Sequence, residues 1–404
     1  MLFGINIKGA ILKYCIYIYW YTYLPIKVFL VRRKKIINVA FVLSDLGKWK
    51  TESLYNEMLG HCRFNPIIYI IPYVNRDNKG LSILKDYLKK KKYDYYDLDN
   101  GKLFSDIIQP DIIFYQESYN NIIPSQYVYK RNFSSLFCYA AYGFHWINNE
   151  WISNQTLKNF CWQVYYENDI VVKGIPSLMT NKGKNSFVTG LPMTDIFLQP
   201  GVIKNNPWKK QDSKKFKIIW APHHTLLEDS RIHNSTFLTY CDYMIDLAEK
   251  YKNKIQIAFK PHPVLITRLY QVWGKSKTDE YYAKWNSGDN TQLVLGEYVS
   301  LFMNSDAMIH DCGSFMIEYH YTRNPILFLL NEANQNKDIN EFGRMAFDLH
   351  YKGRCRKDIE DFIENVIDGK DEMKPLREAF YNNHLLPPNG KSASENIIKA
   401  ILGY

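Results

Sequence analysis

The chain runs to 404 residues, 46% of them hydrophobic and 23% charged, enough for two domains of ordinary size and with no tract biased enough to be disordered. Lys and Arg number 51 against 41 Asp and Glu, so the net charge is +10, a balance that suits nucleic acid, anionic lipid or phosphorylated substrates. Seven scattered cysteines, odd in number and without a CxxC pair, argue against a disulfide framework and for a reducing compartment.

Residues 1–35 stand apart. Ile11 to Val31 is apolar and rich in aromatics (Tyr14, Tyr17, Tyr19, Trp20, Tyr21, Tyr23), is interrupted by Lys13, Pro25 and Lys27, and closes on Arg32-Arg33-Lys34-Lys35. A spanning helix needs about 20 predominantly apolar residues, which this composition does not supply. Tyr and Trp favour the headgroup level and a basic cluster favours anionic lipid, so the expectation is a peripheral, interfacial segment. A helix packed on the protein's own core is the competing reading.

From Ile36 onward strand-like and helix-like segments alternate. Strands are expected at Ile36–Leu43, Ile67–Ile71, Asp111–Tyr115, Leu136–Tyr139 and Ser186–Thr189, with helices at Glu52–His61 and Gly80–Lys92. Gln199–Lys215, with two Pro, Gly201 and a Lys-rich run, reads as an exposed linker. A second series follows, with strands Phe216–Ala221, Ile255–Phe259 and Ala307–His310, a strand led by Pro325, and helices at Phe237–Tyr251 and Gly296–Asn304. Terminal helices are expected at Asp358–Ile367, Pro375–Asn382 and Ser392–Leu402. The predicted organisation is α/β: two Rossmann-like, doubly wound domains (36–200 and 216–390) facing a cleft. A linker at 201–215, a C-terminal helix at 391–404 and the membrane-associated segment complete it.

Three segments of the second half place polar residues directly after apolar strands. KIIWAPHHT delivers His223 and His224, IQIAFKPHP delivers Lys260 and His262, and AMIHDCGS delivers His310 and Asp311. Parallel strands end at one edge, so these groups are expected to converge. The turn Asp311-Cys312-Gly313-Ser314 opens a helix at Phe315, where unpaired N–H groups would receive an anion, and Glu318 lies one turn further on. Lys and His beside such donors suit a pyrophosphate, and a carboxylate suits a ribose diol. The spacings match no compact zinc pattern, so no metal is expected; GxSxG is absent around Ser314, and no nucleic-acid motif appears.

The run SDAMIHDCGSFMIEYHYTRNPILFL resembles the signature of the CDP-glycerol glycerophosphotransferases, the teichoic-acid polymerases and their relatives. Gly190-Leu191-Pro192 with Asp195, Trp220-Ala221-Pro222 and Lys260-Pro261-His262-Pro263 resemble further landmarks of that family, in the same order. The resemblance implies a GT-B type fold and phosphoglycerol transfer from a CDP-activated donor, with no cofactor, to a lipid-linked or polymer acceptor in cell-surface polymer synthesis. It also implies a peripheral place on the cytoplasmic face of the membrane. Carried over, His262 would contact the donor phosphates, and His223, His224 and Lys260, from the converging strand ends, are expected to join it. The Asp311 to Ser314 turn would hold the pyrophosphate, and Glu318 the ribose. The family's His-Gly base motif is replaced by CYAAYGFHW, which leaves Tyr142 or His145 as the base. A nucleotide-sugar glycosyltransferase and a non-catalytic binding relative are the alternatives.

Overall fold

The computed structural model describes residues 7–74, 78–98, 101–119, 121–226, 235–331 and 339–403. The chain divides into two compact units, Met1–Asp195 with Leu386–Tyr404, and Ile196–Leu385.

The first unit is built on a seven-stranded sheet of order β3-β2-β1-β4-β5-β6-β7. Its strands are β1 (Ile37–Leu43), β2 (Phe64–Ile70), β3 (Tyr95–Asp97), β4 (Ile112–Tyr115), β5 (Leu136–Ala140), β6 (Gln163–Tyr166) and β7 (Ser186–Val188). All pair in parallel. A parallel sheet is covered on both faces, which is why INVAFVL and LFCYA read as apolar runs and not as alternations. The strand order reverses between β1 and β4, the switch point at which doubly wound sheets place their ligands.

The second unit carries a six-stranded parallel sheet, β10-β9-β8-β11-β12-β13. Here β8 is Phe216–Ala221, β9 Ile255–Phe259, β10 Thr291–Leu293, β11 Ala307–His310, β12 Ile326–Leu329 and β13 Tyr351–Gly353. Its core is aromatic: the Trp220 ring stacks on Phe237 at 5.6 Å and on Phe259 at 5.0 Å, with Trp285 against both Trp220 and Phe259. Each such side chain contributes about 2–3 kcal/mol by burial. Residues 201–215, expected to be an exposed linker, are pinned to this unit by Trp208. Its ring is buried and its Nε1 donates to Leu301 O at 3.3 Å, while Lys209 N donates to Gln292 Oε1 at 2.8 Å.

The N-terminal segment forms α1 (Ile7–Ile18), a π turn (Tyr19–Tyr23) and α2 (Leu24–Arg32). Pro25 falls in the first turn of α2, where its missing N–H costs nothing. The segment has two faces. Ile16, Tyr19, Leu24 and Val31 are buried, Tyr19 packs on Phe133 and Phe160, and Trp20 Nε1 donates to Asn159 O at 2.9 Å. On the other face Ile11, Tyr14, Tyr17, Ile26, Phe29 and Leu30 are exposed. The basic cluster is half committed to the protein. Arg32 donates to the carbonyls of Ala400 and Ile401, and Lys34 pairs with buried Asp111 at 2.7 Å. Among the described residues no helix is long and apolar enough to cross a membrane.

The C-terminal helix Ala393–Leu402 returns to the first unit and is held at both ends. At its start the Asp195 carboxylate accepts from Ala393 N (2.7 Å), Ser394 N (3.1 Å) and Ser394 Oγ (2.5 Å), and Ser392 and Glu395 form a capping box. At its end the Arg32 guanidinium takes the last carbonyls. Gly190, at φ +79°, passes so close that a Cβ would lie 3.0 Å from Pro387 and 3.1 Å from Ala393. The Gly-Leu-Pro…Asp landmark is thus a docking device for this helix.

The second unit also buries three imidazoles, His310, His320 and His350. The rings of His310 and His350 lie 5.2 Å apart, and those of His320 and His350 5.0 Å. Burial pushes His310 and His320 down to about 3 and His350 well below 6.5, so all three are neutral at pH 7.

Two outcomes are expected. Asp195→Ala should lower the stability of the first unit by about 2–3 kcal/mol in urea unfolding, because three donors lose their acceptor; an unchanged midpoint would show that the helix docks without it. The three core imidazoles bind protons only on unfolding, so stability is full above about pH 6.5. It falls as pH drops toward about 3, by up to about 1.4 kcal/mol per pH unit for each ring. Their ring C–H resonances should stay at neutral positions down to about pH 5; titration near 6.5 would contradict this.

Candidate functional site

In the second unit β9, β8 and β11 are neighbours, and their register pairs Trp220 with Phe259 and Ala221 with His310. The strands therefore end level, and the loops that follow are knitted together. Lys260 N donates to Trp220 O at 2.8 Å, His262 N to Pro222 O at 3.2 Å, and His223 N to Asp311 Oδ1 at 2.5 Å. This brings His223, His224 and His262 ring to ring. Centroids are 4.2 Å apart for His223 and His224, 4.1 Å for His224 and His262, and 5.4 Å for His223 and His262.

Burial, reinforced by their neighbours, pushes His223 down to about 3 and His262 to about 4, and lowers His224. The site thus offers neutral imidazoles at pH 7. Val264 N–H donates to His262 Nδ1 at 3.1 Å, so in the neutral ring the proton sits on Nε2. That nitrogen is a donor suited to a phosphate oxygen. The same three histidines are the group among the described residues that could hold a metal, but His262 Nε2, protonated in this way, has no lone pair to offer one.

Asp311 lies beneath the turn, fully buried. Its carboxylate accepts from His223 N and from both N and Oγ1 of Thr236, and burial outweighs these bonds to push it up to about 6. It positions the His223 loop and does not itself face an anion. Cys312 and Gly313 are buried and Ser314 is exposed, while His310 Nδ1 meets the Cys312 backbone. The helix expected from Phe315 is a single turn, Phe315–Glu318, that tightens into a 3₁₀ turn at Tyr319–Thr322. A single turn adds little dipole, so any anion held here depends on the loops rather than on a helix. Lys260, 3% exposed, lies with its Nζ 5.9 Å from the centre of the Tyr298 ring, and Tyr298 OH donates to Glu318 Oε2.

The remaining predicted residues lie in the first unit, after β5. Tyr142 is exposed, with Lys48 Nζ 5.8 Å from its ring centre. His145 is held by a residue the sequence reading passed over. Glu167, directly after β6, accepts from the His145 backbone N–H at 2.6 Å through Oε1 and from ring Nδ1 at 3.0 Å through Oε2. Also unread was Glu117, directly beyond β4. It pairs with Lys48, accepts from Tyr73 OH, and lines a small pocket with Ser44, Tyr115 and Gln116 at the β1/β4 switch point. Position after a strand end was the available signal for both carboxylates; Lys48 lies on a short turn that carries none.

No curated protein sequence matches the chain. Among solved structures, two histidine variants of the wall teichoic acid polymerase TagF share 14% identity with it. One matches over 98% of each chain at a TM-score of 0.57 and the other over 99% of each at 0.56. The UDP-GlcNAc 2-epimerase from Neisseria meningitidis, solved bound to UDP-GlcNAc, is 13% identical, covers 91% of this chain and 100% of its own, and gives 0.56. At such identities the likeness establishes the fold alone, a GT-B-like fold with two parallel α/β sheets. Residues 167–403 match the family model of CDP-glycerol:poly(glycerophosphate) glycerophosphotransferases. That span is more than half of the chain, includes every strand of the second unit, and makes this protein an enzyme belonging to the CDP-glycerol glycerophosphotransferase family.

Proposed function

We propose that the enzyme transfers phosphoglycerol, or a similar phospho-alditol, from a CDP-activated donor to a hydroxyl of a lipid-linked or polymeric acceptor. The observation that carries this reading is the convergence of His223, His224, His262 and Lys260 on one edge of the second sheet, with the His262 proton directed to Nε2. In the reaction the acceptor oxygen attacks the β-phosphorus, the bond from that phosphorus to the bridging oxygen breaks, and CMP leaves. The acceptor's proton passes to His145 Nε2. Such a transition state is loose, so positioning and charge neutralisation supply most of the acceleration. Lys260 and the imidazole donors serve the phosphates, the Asp311 to Ser314 turn supports them, and Glu318, held by Tyr298, serves the ribose.

We also propose that the exposed face of α1 and α2 rests at the headgroup level of the cytoplasmic membrane surface, bringing the enzyme to a lipid-linked acceptor. Supporting this are the exposed tyrosines Tyr14, Tyr17 and Tyr21 and the exposed Arg33 and Lys35 that follow α2.

With CDP-glycerol and a glycerophosphate-primed acceptor, CMP release is expected. His262→Ala should lower kcat/KM by about 10²–10³-fold. Release of a nucleoside diphosphate from a nucleotide sugar, with none of CMP, would replace this reading by glycosyl transfer. Replacing Tyr17, Ile26 and Phe29 together by Ser should move the protein from co-sedimentation with vesicles containing anionic lipid into the supernatant. Undiminished co-sedimentation would remove the membrane assignment from this face.

A further inference from the structure

We infer that Glu167 is the positioning residue of a carboxylate–histidine dyad that makes His145 Nε2 the proton acceptor; the inference rests on the reading of His145 as the base. Glu167 is built to be rigid. It follows β6 directly, and the next residue, Asn168, caps the helix Asp169–Leu178 by accepting from Val171 N at 3.0 Å. The residue is therefore clamped between a strand end and a helix start, and it is only 5% exposed. In the β5–β6 register Ala140 lies opposite Tyr165, so Glu167 comes level with the Tyr142 to His145 loop.

The two carboxylate oxygens do different work. Oε1 accepts the backbone N–H of His145 and fixes the loop, while Oε2 accepts Nδ1–H and fixes the ring. The neutral imidazole then carries its proton on Nδ1 and its lone pair on Nε2. When Nε2 takes the acceptor's proton, the carboxylate stabilises the resulting imidazolium, and the neutral base is restored when that proton leaves to solvent. The ring also rests against Tyr166 at 4.9 Å, and the Glu167 carboxylate acts on the buried Lys158 ammonium. Tyr142, by contrast, is exposed, with Lys48 above its ring and Glu117 paired to that lysine. The dyad thus assigns the base to His145 within the pair left open by the sequence.

Glu167→Gln tests this, because the amide can donate to Nδ1 and drive the ring proton to Nε2. Two readouts apply to the full-length protein. Nitrogen-15 spectra of labelled histidine should show the Nδ1–H form of His145 in the parent and the Nε2–H form in E167Q. CMP release should fall about 10²–10⁴-fold in kcat with KM little changed. Glu167→Asp, which keeps the charge, should recover part of kcat and serves if E167Q fails to fold. An unaltered tautomer or an unaltered kcat in E167Q overturns the proposal, as does an Nε2–H form of His145 in E167D. His145→Gln separates the underlying reading: if it retains full kcat, His145 is not the base, whatever tautomer Glu167 imposes.

Discussion

Every strand pairing in both sheets is parallel, and that constraint governs where chemistry can occur in this protein. Parallel strands require crossover helices, the helices cover both faces, and the strands become uniformly apolar. The side chains proposed to carry chemistry then sit beyond the strand ends, at one edge of each sheet. His223, Lys260 and Asp311 in the second unit, and Glu117, His145 and Glu167 in the first, all occupy such positions.

Burial sets the character of the second edge. A cluster of charged groups desolvated before a donor arrives would cost far more than neutral imidazoles, whose N–H groups still meet phosphate oxygens. Burial keeps His223 and His262 neutral and pushes Asp311 up to about 6, and Lys260 adds a buried cationic side chain. The first edge uses a different device, a carboxylate that orients one imidazole. The proposed donor site, mostly neutral, and the proposed base, its ring locked, suit phosphoryl transfer, where placement counts for more than covalent chemistry.

Much of this was legible in the residues. Strands β8, β9 and β11 lie where FKIIWA, IQIAF and AMIH predict them, because buried parallel strands announce themselves as short branched runs between turns. The second unit's site residues came from the same signal. Less visible were β6, where Gln163 interrupts the apolar run, and β3, an edge of three residues with polar neighbours. Gln163 is buried because its amide donates to Ala400 O, a partner far away in sequence. Glu167 was missed for the same reason, since its meaning depends on His145 across the sheet. Asp195 could be read as part of a landmark, but its work on Ala393 and Ser394 is a tertiary fact.

The return of the C-terminal helix carries a consequence for biosynthesis. The first unit is discontinuous: Gly190, Asp195, Gln163 and Arg32 await a helix that is translated only after residues 196–385. Domains commonly fold in order of emergence from the ribosome. Here the earlier-made unit stays open along the surface that Ala393–Leu402 will cover until the later-made one has been synthesised. The second unit, continuous in sequence, is free to fold first, so the half proposed to hold the donor can be complete while the half proposed to carry the base is still waiting for its last element.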